Sequence, residues 1–246
     1  MPHAVQPRCL IFDLETVPAH ENEAERIVKV GALRPDTGDS FEAATSKQLA
    51  PSLVRLDRMC EGASFILGHN IVAHDLPILA AAAPASPLLE RPAIDTLRLS
   101  PLAFPQNPYH RLIKDYKLIR DNLNSPLSDC RATLTLFADQ QDAFDRLATS
   151  HDNELRCYQA LVAPRTGVGL GNFFLALTRQ PPVTLDHVAQ WLPSLLAETD
   201  PSLSRTLKVC GTRLAALVAH DLEQPDLHWP IAYALAWLRV SGGNSV

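Results

Sequence analysis

The chain predicts an α/β domain with strands of mixed direction, followed by a helical region. Three observations carry that prediction. Short apolar runs separated by turn signals fill the first part of the sequence. Helical spacings interleave with them from residue 47 onward. Beyond about residue 148 no convincing strand remains.

The elements follow in order. RCLIFDL (8–14) is a short apolar run ending in acids, the pattern of a buried strand. RIVKVGAL (26–33) alternates as a second strand, and PDTG (35–38) is a turn signal that returns the chain as a third strand near Phe41. These three suggest an antiparallel meander. Residues 47–61 place Leu49, Leu53, Leu56 and Met59 on one helical face. SFILGHN (64–70) is a buried strand running into a loop. HDLPILAAAA (74–83) is a helix whose Pro77 is tolerated in the first turn. PAIDTLRLS (92–100) reads as a short strand and its exit. RLIKDYKLIR (111–120) and the stretch 126–147, with Pro126 near its start, are helical by apolar spacing. Three more helical patterns follow in LDHVAQWLPSLLAE, SRTLKVCGTRLAALVAHDLE and PIAYALAWLRV, with Thr184 and either Ser202 or Ser204 as N-caps. The expected division is residues 1–147 and a helical accessory part, residues 148–246.

Composition excludes several classes. The chain has 246 residues, 46% apolar and 20% charged, as an ordinary globular protein does. Its net charge of −5 argues against nonspecific coating of duplex DNA, yet leaves room for a local basic path beside acidic ligands. Cys9, Cys60, Cys130, Cys157 and Cys210 are scattered and lack CxxC spacing. They read as reduced thiols of a cytoplasmic protein, with neither a zinc site nor a disulfide framework. The N-terminus lacks the apolar core of a signal peptide, and no window reaches about 18 uninterrupted apolar residues, so no membrane span is expected.

Four carboxylates carry the chemistry. Asp13 and Glu15 end the first strand in CLIFDLETVP, Asp75 lies in ILGHNIVAHDLPIL, and Asp129 opens the helix in NSPLSDCRATLTLF. Asp13 and Glu15 are two apart on a strand and therefore share a face. Hydrolysis of a phosphodiester needs a nucleophilic hydroxide and charge relief at the leaving oxygen. Two divalent ions about 4 Å apart supply both. Hard cations of that kind take oxygen ligands, so several carboxylates must converge. Each acid alone has an ordinary role. Asp75 fits a helix N-cap, and Asp129 fits a first-turn acid facing the helix dipole. The ordered set is what stands out.

Residues 8–140 resemble the DnaQ-like, or DEDD, superfamily of 3′–5′ exonucleases. IFDLETVP resembles its first motif, GHNIVAHDLPIL its second and SDCRATLTLF its third; RIVKVGAL and IDTLRLS resemble the strands between. The resemblance implies an RNase H-like mixed sheet flanked by helices. It implies that Asp13, Glu15, Asp75 and Asp129 bind two Mg²⁺ or Mn²⁺ ions. It further implies that the 3′-terminal nucleotide of single-stranded DNA rests against Thr16 and Val17, with His69 and Asn70 in the second-motif loop beside it. His74 stands where the family often has an aromatic residue.

The third motif departs from the family. One branch has a histidine five residues before the last aspartate, and here that position is Asn124. Another has a tyrosine four before it, and here that position is Ser125. An amide can orient water but cannot take its proton. Loss of a general base costs about 10²–10⁴ in rate. Three readings follow: His110 substitutes as base, Asn124 positions water in a slower enzyme, or the domain binds DNA ends with little or no turnover.

Arg111, Lys114, Lys117 and Arg120 recur every third residue as a basic stripe. The stripe suits a phosphate backbone, and it equally suits a solvated helix face. Tyr109 and Tyr116 within it suit base stacking or the core. GVGLGN (167–172) lacks a following Lys-Ser/Thr and a preceding strand, so it reads as a loop at a helix boundary, and no NTPase motif occurs. From PYHRLIKDYKL to WLRVSGGNSV the chain resembles the N-terminal region of large bacterial RecQ-family helicases. That resemblance implies a fragment of a longer DNA-repair protein, in which the helices dock a nuclease-like domain to a helicase motor.

Overall fold

A computed structural model of the chain describes residues 7–18, 25–45, 49–107, 125–162, 168–198, 201–220 and 228–243. Contacts divide the chain into two compact units, Met1–Leu97 with Arg111–Ala138, and Arg98–His110 with Asp139–Val246.

The first unit is built on a five-stranded mixed sheet. Its strands are β1 (Cys9–Val17), β2 (Arg26–Leu33), β3 (Ser40–Ala44), β4 (Phe65–Gly68) and β5 (Ala93–Asp95). They lie in the order β3-β2-β1-β4-β5. The meander β1-β2-β3 is antiparallel, whereas β4 and β5 add parallel to β1. Two helices pack within this half, α1 (Leu49–Cys60) and α2 (Asp75–Ala82), and α3 (Thr96–Ala103) starts directly after β5.

The alternation of β1 sorts its side chains. Leu10, Phe12 and Leu14 join Val30, Ile66, Leu53, Leu56, Ile71 and Leu79 in one buried core. That core fixes α1 and α2 on one face of the sheet. Ile11 and Leu67 are equally buried but stand outside it. The period of two therefore turns Ile11, Asp13 and Glu15 to the opposite face. Apolar side chains on both faces explain why the β1 sequence reads as a near-continuous apolar run.

The start of α4 (Pro126–Ser150) covers this second face. Cys130 is fully buried and its thiol lies 3.6 Å from the Gly31 carbonyl. Phe137 sets its ring 6.2 Å from that of Phe65 on β4. Gly31 makes the approach possible. A Cβ there would lie 2.5 Å from the Leu127 nitrogen and from the Pro126 carbonyl carbon, both backbone atoms that cannot swing aside. Gly31→Ala is therefore expected to lift the first turn of α4 from the sheet and lower stability by about 2 kcal/mol, as overpacking does. Denaturant unfolding checks it, and an unchanged midpoint would show that the contact yields without cost.

The second unit, among the described residues, contains α5 (Asp152–Val162), α6 (Val168–Thr178), α7 (Leu185–Ala197), α8 (Ser204–His220) and α9 (His228–Gly243). Phe144, Phe173 and Phe174 meet edge to face at its centre. A buried ion pair joins Arg239 to Glu154 at 2.8 Å. The guanidinium also reaches the Leu195 carbonyl, and the Tyr158 hydroxyl donates to Glu154. The Thr184 hydroxyl accepts from the His187 N–H and caps α7 as expected. Helix α8 begins at Ser204 itself.

Two expectations need correction. The strand of 92–100 is only Ala93–Asp95, and what was read as its exit is a helix, α3. Most of GVGLGN lies inside α6 rather than in a boundary loop, because burial of Leu170, Phe173 and Phe174 outweighs the poor helix propensity of glycine. The expected helix at 111–120 lies outside the described residues. Among the described residues no helix is long and apolar enough to cross a membrane.

Candidate metal centre

Three of the four carboxylates meet. Asp13, Glu15 and Asp129 each offer an oxygen within 4.8 Å of the others, and all three are half-buried. The sequence explains how. In the β1/β2 register Asp13 lies opposite Gly31, and Glu15 lies opposite Lys29. The first turn of α4 rests on Gly31, so the strand pair itself delivers Asp129 to Asp13. The register shifts between Glu15 and Thr16, a bulge beside the acids after which pairing resumes at Thr16 and Ile27.

Asp75 arrives differently. It is the first residue of α2, is 1% exposed, and accepts the Leu14 N–H at 2.8 Å. It is thus pinned to the backbone between Asp13 and Glu15 while standing outside the tight cluster. Burial, with the nearby Asp13 carboxylate second, pushes the Asp75 carboxyl up to about 8; the Leu14 N–H pulls it the other way. An acid that burial and a neighbouring charge both keep protonated is a group that a cation would ionise. A set of hard oxygen donors with that property fits a divalent ion.

The remaining expected residues fall into three groups. Thr16 donates its hydroxyl to Glu25, and Val17 is 37% exposed at the strand end. His69 and Asn70 form the turn between β4 and α2. Asn70 adopts φ 66°, a left-handed conformation, and its carbonyl accepts from His74 N–H at 3.0 Å. His74 occupies the N-cap position of α2 without a side-chain capping bond. Asn124, His110, Arg111, Lys114, Lys117 and Arg120 lie outside the described residues, as do Tyr109 and Tyr116.

Ser125 is explained. Its hydroxyl accepts the Ser128 N–H at 3.2 Å and donates to Glu42 of β3 at 2.5 Å; the same Glu42 oxygen accepts Leu127 N–H. Ser125 is thus the N-cap of α4. Ser125→Ala should cost about 1 kcal/mol in thermal unfolding, the usual worth of such a cap. An unchanged midpoint would mean that Glu42 alone satisfies the helix start.

Asp95 was not singled out in the sequence. It is 1% exposed and accepts three backbone N–H groups, from Asn70 and Leu97 at 2.9 Å and from Val72 at 3.2 Å. It caps α3 and anchors the second-motif turn at once. The signal lay in Asp-Thr between an apolar pair and LRL, a capping pattern at a strand end.

Compared with protein-family models, curated proteins and solved structures, the chain matches none.

Proposed function

We propose that the chain is a metal-dependent 3′–5′ exonuclease of the DnaQ-like type, with an RNase H-like first unit, acting on single-stranded DNA. The observation that carries the reading is the convergence of Asp13, Glu15 and Asp129 on one sheet face, with Asp75 tied to Leu14 between them. On this reading these four residues hold two Mg²⁺ or Mn²⁺ ions, which would lower the pKa of an attacking water and offset charge on the leaving oxygen. The five-stranded mixed sheet flanked by helices supports it.

The roles divide among the chain's own residues. Asp13 and Glu15 present oxygens from one strand face. Asp129 closes the set from the first turn of α4, whose position Gly31 and the Ser125 cap fix. Asp75 would enter as a carboxylate only once a cation offsets its burial. Val17, exposed beyond the bulge, offers an apolar rest for a terminal base. The helical elements and the RecQ-like stretch of sequence support a place beside a helicase motor.

A second reading is favoured by Ser125, a helix cap where one branch of the family keeps its base. On that reading the unit holds a DNA 3′ end and turns over feebly. One assay separates the two. The purified chain is incubated with 5′-labelled single-stranded DNA and Mg²⁺, Mn²⁺ or EDTA, beside Asn124→His. A ladder from the parent chain, abolished by EDTA, is the expected result. Silence from the parent and activity in Asn124→His would favour the holding module.

A further inference from the structure

We propose that the outward face of α8 is a phosphate-contacting surface for single-stranded nucleic acid. It lies in the second unit and shares with the nuclease reading only the class of ligand.

The sequence makes this helix basic. Over Ser204–His220 it carries Arg205, Lys208 and Arg213 and no aspartate or glutamate, in a chain whose net charge is −5. Packing decides which face stays open. Leu207, Gly211 and Val218 are buried. Gly211 lets α8 lie against α7, since a Cβ there would stand 2.6 Å from the Leu192 carbonyl oxygen and 2.7 Å from the Pro193 Cα. At about 100° per residue, Arg205, Val209 and Arg213 fall within about 40° of the line opposite those three buried positions. All three are exposed, Val209 by 49%, and Lys208 is exposed to one side of them.

The row selects its ligand. Among the described residues no ion pair or side-chain hydrogen bond offsets Arg205, Lys208 or Arg213. Thr212 donates its hydroxyl to the Lys208 carbonyl at 2.9 Å, which leaves phosphate contact to the cations. Arg205 and Arg213 stand roughly two turns apart, about 12 Å along the axis. A single small anion cannot meet both, whereas a polyanion can. Val209 places an apolar spot between them. Cation, apolar side chain, cation is a row that suits a phosphate backbone carrying flat apolar bases. A single strand offers those base faces, and a duplex keeps them stacked inside.

Fluorescence anisotropy of a labelled oligothymidylate of about 20 nucleotides tests the surface in EDTA, where no metal-dependent trimming occurs. With the three cations as contacts, this face supplies a slope of about −2 in log K against log salt, and Arg205→Ala with Arg213→Ala removes about 1.4 of it. Affinity at about 50 mM salt should fall about tenfold or more in that double variant. A second double variant, Arg58→Ala on α1 with Arg146→Ala on α4, removes two exposed cations elsewhere and should stay within about twofold of the parent. Equal losses in the two would show a response to total charge and overturn the proposal, as would an unchanged slope in the first. A duplex or a polyglutamate peptide that competes as well as unlabelled oligothymidylate overturns the single-strand assignment. Binding that depends on Arg205 and Arg213, with no trimming once Mn²⁺ is added, would sink the nuclease reading and leave this surface standing. Trimming by a parent chain whose first double variant binds equally well would do the reverse.

Discussion

Asp13→Ala should lower metal-dependent trimming by about 10³-fold or more while leaving the metal-free fold at least as stable as the parent. The two halves of that expectation come from the same charge. A ligand that offsets charge in a two-metal displacement is worth several kcal/mol of transition-state stabilisation, and each 1.36 kcal/mol is a factor of ten in rate. Without a cation, the same carboxylate faces other acids at close range. It lies within 4.8 Å of Glu15 and Asp129 oxygens, and it helps push the Asp75 carboxyl up to about 8. Removing it relieves repulsion among acids packed on one face. A residue kept for packing shows the opposite pattern, losing stability first and activity with it. Single-turnover rates with Mn²⁺ and urea unfolding in EDTA together decide the matter. Trimming that persists in Asp13→Ala would remove the carboxylate cluster from the chemistry altogether.

The strands were legible because their patterns were short and unambiguous. Arg26–Leu33 is found as expected, although Ile27, Val30 and Ala32 all join the core and the break in alternation goes with the register shift opposite Glu15 and Thr16. β1 runs on to Val17, past the apolar stretch, because Glu15, Thr16 and Val17 keep their pairing with Lys29, Ile27 and Arg26 beyond Leu14, the last buried side chain. Helix α6 was hidden by its glycines, and α3 by Pro101 and by its abrupt start after β5. The candidate site was legible as a list of acids, not as a geometry. Nothing in the spacing of Asp13 and Asp129 shows that Gly31 lets a helix rest on the strand beside Asp13. The cap at Ser125 needs Glu42 from a strand far off in sequence. Asp95 escaped notice because its work is done on backbone N–H groups of a turn that must form before they converge.

Asp75→Asn should flatten the pH dependence of the metal-free chain and raise its stability above the parent at pH 8. The sign follows from the direction of the shift. The Asp75 carboxyl titrates near 3.8 when unfolded and is pushed up to about 8 in the fold. Below the lower value both states hold the proton, and the group contributes no pH dependence. Between the two values the folded chain keeps a proton that the unfolded chain has lost, so stability falls as pH rises. Each pH unit is worth up to 1.36 kcal/mol, which makes the fall of order 3 to 4 kcal/mol between pH 5 and pH 8. An asparagine oxygen still accepts the Leu14 N–H and carries no charge to bury, so the variant loses this slope and keeps its contact. Urea midpoints in EDTA across that range test it, and parallel curves for parent and variant would show that Asp75 ionises without cost. Added Mn²⁺ at pH 8 should then stabilise the parent by mass action and the variant much less, because only the parent has a carboxylate to gain. The price of holding Asp75 dry is thus recovered when a cation binds, which ties the cost of burying that acid to the chemistry proposed for it.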